Sequence, residues 1–257
     1  MKRLIVIASG KGGVGKTTTA INLGAAINYF NRDVLIIDAN MSTPNVGIHL
    51  NSPEVPINLN HVLQKKAHPF EAVYTHESGI KIIPSSLSIK ELKKIKMENL
   101  KNFKEEFKNL AEFVILDCSA GLGKEAIHTM ELADEIILVS NPEMPSITDA
   151  LKTIKIAEEM KKNVIGIIMT RVRKNKDELP PETVKEMLEI PVIGMIPEDS
   201  LVQNALKNKK PLVFLHPKSK SARAYKEIAA RLIDEEYDSD ADKPTLWEKV
   251  KFIFEKN

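Results

Sequence analysis

The sequence predicts an α/β fold in which a doubly wound, mostly parallel sheet is flanked by helices in three layers. Short apolar runs alternate with helical patterns along most of the chain, and each run is almost continuously apolar, as in strands that are covered on both faces. A glycine-rich loop also joins the first run to the first helical pattern. In sheets of this class, ligands bind at the edge formed by the carboxyl ends of the strands, where such a loop lies.

The elements follow one another in regular order. Strands are predicted at 3–8, 34–38, 80–83, 113–117, 135–140, 163–169 and 192–196. Helices are predicted near 16–30, 59–64, 88–110, 123–131, 146–161, 181–188, 200–207 and 219–234, where apolar residues recur every three or four positions. We expect residues 1–233 to form one large domain, because α/β folds of this length often remain undivided.

Composition limits the classes of function. Lys and Arg total 37 and Asp and Glu total 35, so no global positive field attracts nucleic acid. The one cysteine, Cys118, excludes an internal disulfide and an intrachain Cys-x-x-Cys metal site, and it suits a reducing, cytoplasmic compartment. Because every apolar run is shorter than the roughly 18 residues that a membrane-spanning helix needs, none is expected to cross a bilayer.

The glycine-rich loop matches the phosphate-binding pattern G-x-x-x-x-G-K-[ST]. Glycines there leave backbone N–H groups free to close around phosphate oxygens, and the following helix directs its positive N-terminal end at them. Lys16 is predicted to contact the β- and γ-phosphates, and the Thr17 hydroxyl to bind Mg²⁺. We therefore predict a nucleoside triphosphate site, the alternative being a glycine-rich turn without a ligand. Its residues are Gly10, Lys11, Gly12, Gly13, Val14, Gly15, Lys16, Thr17 and Thr18.

Two aspartates, Asp38 and Asp117, end predicted strands. A carboxylate at the end of a buried strand is costly unless a cation or hydrogen bonds satisfy it. The carboxyl ends of parallel strands meet at one edge of the sheet, beside the predicted phosphate loop. We therefore predict that Asp117, and Asp38 beside it, bind Mg²⁺ directly or through water. The alternative for either residue is a helix or turn cap.

Lys11, directly after the first glycine, marks a deviant form of this loop. With it, the chain resembles the MinD/ParA family of deviant Walker A ATPases. The resemblance implies ATP and ADP as ligands, with Mg²⁺, and a homodimer that forms around ATP. In such a dimer Lys11 reaches the partner's phosphates and stabilises the charge that develops during phosphoryl transfer. The alternative is a solvated surface lysine.

The resemblance extends from residue 1 to about residue 233. Segment 34–40 is similar to the family's first switch, and segment 113–121 is similar to its Walker B strand and second switch. Segments 140–143, 170–171 and 196–199 also lie where the family has comparable motifs. The last two imply that adenine is held by Thr170, Arg171, Pro197, Glu198 and Asp199.

Asn40 departs from the family pattern, in which an aspartate helps to position the attacking water and contacts the signature lysine. An amide can orient water, but it cannot accept a proton. We therefore expect slow hydrolysis that depends on a partner, with Lys11, Lys16, Asp38 and Asn40 as the catalytic residues. The alternative is that Asn40 is an engineered block of hydrolysis.

The C-terminal residues carry a second functional signal. Residues 234–244 are acidic and poor in apolar side chains, which predicts a flexible linker. Thr245 and Glu248 then form a capping-box pattern that predicts a helix over 245–257. The lysines and the apolar face of this helix fit reversible attachment to the inner face of the cell membrane. The segment resembles the C-terminal membrane-targeting helix of MinD-type proteins. The alternative is a helix docked on protein. The apolar residues are Leu246, Trp247, Val250, Phe252, Ile253 and Phe254.

The favoured function is a MinD-type dimerisation switch that hydrolyses ATP slowly and positions a cellular structure, such as the division site, from the membrane. Its activator or cargo is not identified by the sequence. The alternative is a ParA-type ATPase that binds DNA non-specifically, and its basic face would comprise Lys207, Lys209, Lys210, Lys218, Lys220, Arg223, Lys226 and Arg231. The single cysteine weighs against the iron–sulfur carrier relatives of this fold, which need paired cysteines.

Overall fold

Eight strands form a sheet in the computed structural model, which describes residues 2–52 and 54–244 of the chain. The strands are β1 (Arg3–Ala8), β2 (Val34–Asp38), β3 (Tyr74–Thr75), β4 (Lys81–Ile83), β5 (Phe113–Asp117), β6 (Glu135–Ser140), β7 (Asn163–Val172) and β8 (Val192–Pro197). Their order across the sheet is β3-β4-β2-β5-β1-β6-β7-β8, and every neighbouring pair is parallel except β3 and β4. The predicted fold class is confirmed.

Eleven α-helices connect and cover the strands of the described chain. They are α1 (Lys16–Tyr29), α2 (Val46–His49), α3 (Leu59–Leu63), α4 (Ile89–Leu92), α5 (Lys104–Asn109), α6 (Lys124–Leu132), α7 (Met144–Glu159), α8 (Pro181–Leu188), α9 (Leu201–Lys207), α10 (Leu212–Leu215) and α11 (Lys220–Leu232). Two 3₁₀ helices add Pro69–Ala72 and Met97–Phe103.

Both faces of the sheet are buried, which gives the three-layer arrangement. Because successive side chains of a strand point to opposite faces, Leu4 and Val6 of β1 pack into one core while Ile5 and Ile7 pack into the other. Helices α3 and α5–α8 contribute to the first core, and helices α1, α10 and α11 contribute to the second. The continuous apolar runs in the sequence follow from this double burial.

The predicted single helix over 88–110 is wrong. The structure divides this stretch into α4, the 3₁₀ helix Met97–Phe103 and α5, with Lys96 in an extended conformation between the first two. Leu100 of the 3₁₀ helix and Phe107 of α5 are both fully buried in the first core, so the two segments pack there without being joined to α4 as one helix. The local helical pattern alone therefore does not determine the structure here.

The C-terminal part of the chain falls into two sections. Residues 234–244, which composition predicts to be a flexible linker, lie against α1 and α11 in the structure, where Tyr237 and Asp242 find specific partners. The predicted helix 245–257 and its membrane residues lie outside the described residues. Within the described residues, no helix has the length and apolar character required to cross a membrane.

Strand register brings the predicted site together. Asp38 of β2 lies opposite Asp117 of β5, and Asp117 lies beside Ile7 near the end of β1. Since these three strands are parallel neighbours, their carboxyl ends form one edge, and the glycine-rich loop leaves β1 at that edge.

Candidate nucleotide site

The glycine-rich loop forms a tight turn between β1 and α1. Gly13 and Gly15 have φ angles of 78° and 92°, in the left-handed region that glycine adopts without a steric penalty. Gly15 is also the N-cap of α1, so the unpaired N–H groups of the first turn of the helix begin directly after the loop. Such a loop followed by a helix N-terminus can bind phosphate.

Two hydroxyl groups donate hydrogen bonds to backbone carbonyls of the loop. The Thr170 hydroxyl donates to the backbone carbonyl of Val14 at 2.6 Å and lies 3.1 Å from the Asn141 side-chain oxygen. The Ser9 hydroxyl donates to the carbonyl of Lys11 at 2.9 Å. Thr170 therefore holds the phosphate loop in place, and its predicted contact with adenine stays a prediction.

Lys16, Thr17 and Asp117 meet at the start of α1. The Thr17 hydroxyl donates to one oxygen of the Asp117 carboxylate at 2.6 Å, and the Lys16 ammonium lies 3.8 Å from the other oxygen. This second oxygen, Oδ1, is buried and has no hydrogen-bond partner within the described part of the chain. Burial raises the pKa of Asp117, while the Lys16 charge and the Thr17 hydrogen bond act in the opposite direction.

This arrangement fits Mg²⁺. The ion prefers hard oxygen ligands, and the orphaned Asp117 oxygen beside the Thr17 hydroxyl provides them. A divalent cation would also offset the cost of keeping a charged Asp117 carboxylate fully buried.

Asp38 organises the loop that follows β2. Its carboxylate accepts backbone N–H groups from Asn45 and Val46, both at 2.9 Å, and from Asn40 at 3.2 Å. Burial and the nearby Asp117 charge raise the pKa of Asp38, and the three N–H donors lower it. In the structure Asp38 therefore acts as the turn cap that sequence reasoning left open as an alternative. A metal-binding role for Asp38 stays a prediction.

Asn40 is engaged within the same loop. Its amide nitrogen donates to the Thr43 carbonyl at 2.8 Å, and its oxygen accepts from the Thr43 hydroxyl at 3.1 Å. One residue before Thr43, the N–H and hydroxyl of Ser42 donate to the Glu125 carboxylate of α6 at 3.0 and 2.7 Å. The loop after β2 is thus tied to the helix that follows the Asp117 strand.

Lys11 lies at the exposed side of the phosphate loop. Among the residues that the structure describes, none forms a hydrogen bond or an ion pair with its ammonium group. The side chain is therefore available to a ligand or to another molecule, and its predicted reach to a partner's phosphates stays a prediction.

A cavity of about 430 Å³ continues from the phosphate loop, within the range typical of small-molecule sites. Gly15 and Thr18 of the loop region line one end of it. The predicted adenine-binding residues Thr170, Arg171, Pro197, Glu198 and Asp199 all line the same cavity. The structure thus brings two residues of the predicted phosphate loop and all five predicted base-binding residues to one cavity.

Helix α11 contributes residues that the sequence analysis missed. Tyr225 is buried, lines the cavity, and places its hydroxyl 3.2 Å from that of Thr19 in α1. Ser221 donates its hydroxyl to the Pro197 carbonyl at 2.8 Å and its N–H to the Asp199 carboxylate at 3.3 Å. No motif marks these positions, because their role depends on how α11 packs against α1 and β8.

The basic residues proposed for DNA binding do not all lie on the surface. Lys226 is fully buried. Lys210 pairs with Glu77, and Arg223 donates to the Ser239 carbonyl. The helical spacing that suggested a basic face therefore mixes surface residues with one that belongs to the protein interior.

Sequence comparison agrees with this geometry. Residues 5–212 match the family model described as the CobQ/CobB/MinD/ParA nucleotide binding domain. An uncharacterised ATP-binding protein of Methanocaldococcus jannaschii is 39% identical over 249 residues, which cover 97% of this chain and 94% of that protein. The septum site-determining protein MinD of Synechocystis is 30% identical, with 90% of each chain covered.

Structural comparison gives the same result. The septum site-determining protein MinD of Pyrococcus horikoshii, solved in complex with Mg-ADP, is similar with a TM-score of 0.86 and 31% sequence identity. The alignment covers 90% of this chain and 96% of that one. From the phosphate loop, the matched domain and these relatives, we conclude that the chain belongs to the MinD/ParA family of nucleotide-binding ATPases, in its MinD branch.

Proposed function

We propose that this protein is an ATP-dependent dimerisation switch that acts from the membrane surface to position a cellular structure or partner. The observation that carries the nucleotide part is the buried Asp117 oxygen that has no hydrogen-bond partner in the described chain, beside Lys16 and Thr17. A Mg²⁺-bound nucleotide provides the missing interaction. The adjoining cavity has room for the base, and the relative solved with Mg-ADP supports the choice of ligand.

Different residues have different roles in the proposed hydrolysis. Lys16 and the loop N–H groups bind the phosphates, and the Thr17 hydroxyl and the Asp117 carboxylate hold Mg²⁺. When bound, the ion neutralises charge on the phosphate oxygens. Asn40 must leave its Thr43 partner before its amide can orient water, and it cannot accept a proton. We therefore propose slow turnover that a partner protein accelerates.

Dimerisation is proposed from the position of Lys11. A cation beside the phosphate loop, exposed and without a partner in the described chain, suits insertion into the phosphate site of a second copy. Because ATP supplies the charge that attracts it, the dimer should depend on nucleotide.

Membrane attachment is proposed from the sequence of the last thirteen residues, 245–257. Leu246, Trp247 and Phe254 share one face of a helical projection, and lysines lie on the other. One such segment binds a bilayer weakly, but two presented by a dimer can raise avidity by roughly 10²–10⁴. The proposed location is therefore cytoplasmic, with reversible attachment to the inner face of the cell membrane.

Two measurements test this proposal. Light scattering after size exclusion should show a dimer with Mg²⁺ and a non-hydrolysable ATP analogue, and a monomer for Lys11→Ala. Lys155→Ala, which removes an exposed lysine far along α7, serves as the matched control and should dimerise normally. A dimer that forms without nucleotide, or that still forms in Lys11→Ala, would overturn the proposed switch.

The second measurement is sedimentation with anionic vesicles. Binding should require the ATP analogue and should be lost in the double variant Trp247→Glu with Phe254→Glu. Glu248→Gln changes the polar side of the same segment and should retain binding. Vesicle binding that survives the double variant would exclude this segment as the anchor.

Asn40→Asp tests the assignment of slow hydrolysis. Phosphate release should be faster in this variant than in the wild type, because aspartate can accept a proton. Equal rates would show that residue 40 does not limit turnover.

A further inference from the structure

The chain turns back after α11 and runs over the outer surface of the domain. We call residues 235–242 the strap. The strap begins where the Glu235 N–H donates to the Ala230 carbonyl at 2.9 Å and the Glu235 carboxylate lies 3.7 Å from the Arg32 guanidinium. It then packs the Tyr237 ring edge-on against Phe30 at 5.9 Å and Tyr29 at 6.5 Å, both at the end of α1.

A fully buried lysine lies beneath the strap. The Lys226 side chain has 0% exposure, and its ammonium is 2.6 Å from the Asp242 carboxylate. The Tyr237 hydroxyl donates to the same carboxylate oxygen at 2.8 Å, and the Tyr29 ring lies 3.9 Å from the ammonium. One α11 turn away, Arg223 donates to the Ser239 carbonyl at 2.9 Å.

These contacts explain why the strap does not behave as its composition predicts. A lysine ammonium in the protein interior is costly unless an anion and hydrogen bonds compensate it. Here the strap itself supplies the anion, and Tyr29 adds a cation–π contact. Burial raises the pKa of Asp242, but the hydrogen bonds from Lys226 and Tyr237 outweigh it, so the net pKa lies below the usual value. The strap thus carries a specific anchor within an otherwise acidic, solvated segment.

We propose that the Lys226–Asp242 pair is a latch that docks the strap on α11, so that the residues from 245 onward leave the domain at a fixed point beside α1 and α11. If the eleven residues 234–244 were instead a free linker, their far end would lie at a root-mean-square distance of roughly 18 Å from the end of α11. Latching removes this freedom, and opening the latch restores it. The latch would thus set how far the chain beyond residue 244 can reach from α11.

The latch is tested on the 257-residue chain without nucleotide, so its failure is separate from failure of the proposed membrane function. In Asp242→Asn the lysine stays buried without an anion. Hydrogen exchange of peptides covering 235–242, and cleavage after Glu235 or Glu236 by a Glu-specific protease, should both increase at least about tenfold. Asp240→Asn is the matched control. It removes an exposed carboxylate of the same segment and should change both rates less than about twofold.

A double variant separates the latch from general damage. Lys226→Met combined with Asp242→Asn leaves no unpaired charge, so its strap should exchange more slowly than that of Asp242→Asn alone. Exchange of α1 and β1 peptides should match the wild type in all variants, which verifies that the domain stays folded. The latch is excluded if the wild-type strap exchanges as fast as the Asp242→Asn strap. It is also excluded if Asp240→Asn and Asp242→Asn have equal effects.

Discussion

The close approach of the phosphate loop to α7 leads to a prediction for Gly10→Ala. A Cβ atom on Gly10 would lie 2.2 Å from the Asp149 carbonyl oxygen, whereas real Cβ contacts below 3.0 Å are essentially absent. The loop or the helix backbone must therefore move by at least 0.8 Å, the difference between these distances. Overpacking of this kind costs about 1–3 kcal/mol. At about 2–4 °C for each kcal/mol in a domain of this size, the melting temperature should fall by roughly 5 °C.

The assay is thermal unfolding of the nucleotide-free protein, followed by titration with a fluorescent ADP analogue. Gly12→Ala is the matched control, because a Cβ there meets only the Ala120 methyl group at 3.9 Å, an ordinary contact. It should melt within about 1 °C of the wild type. Gly10→Ala should also bind the analogue more weakly, since the displaced loop no longer presents its N–H groups in place. If Gly10→Ala melts and binds as the wild type does, the packing of the loop against α7 does not constrain the site.

Four further outcomes follow from buried groups of the site. Cys118 is fully buried and burial raises its pKa to about 12, so it should react with a thiol reagent only as fast as the protein unfolds, and faster labelling would contradict its burial. Tyr225→Phe should lower the free energy of unfolding in urea by about 1 kcal/mol, because the Thr19 hydroxyl loses its buried partner, and no change would show that the contact contributes nothing. The pKa values of Asp38 and Asp117 are raised in the fold, so the contribution of these two groups to the stability of the metal-free protein should fall as pH rises above about 4. Mg²⁺ competes with these protons, so Mg²⁺ with ADP, compared with ADP alone, should raise the melting temperature more at pH 8 than at pH 6, and equal shifts would contradict the assignment.

The sequence was sufficient to predict the sheet and the phosphate loop. Strands such as β1 and β5 are buried on both faces, so their apolar runs are continuous, and the loop needs glycines and a lysine at fixed spacing. The two-residue β3 carries no comparable signal and exists because β4 pairs with it. Segment 88–110 shows the opposite failure, since it has a local helical pattern but is interrupted at Lys96, which is extended.

The interior of the site was less predictable than its motifs. Asp38 and Asp117 were placed correctly at one edge, but the sequence could not show that Asp38 is occupied by three backbone N–H groups. The pairing of Lys226 with Asp242 was also not predicted, because the position of Lys226 in the helical pattern does not distinguish a buried lysine from an exposed one. In each case the missing information is a contact between distant elements, which no local pattern encodes.

The central place of β1 in the sheet also bears on how the protein is synthesised. β1 is synthesised before the other strands of this sheet, yet its neighbours are β5 and β6, which begin at residues 113 and 135. The hydroxyl that holds the phosphate loop comes later still, from Thr170. At about 5–20 residues per second, the nascent chain spends several seconds with this apolar strand unpaired. A nascent chain halted before residue 170 should therefore not bind nucleotide.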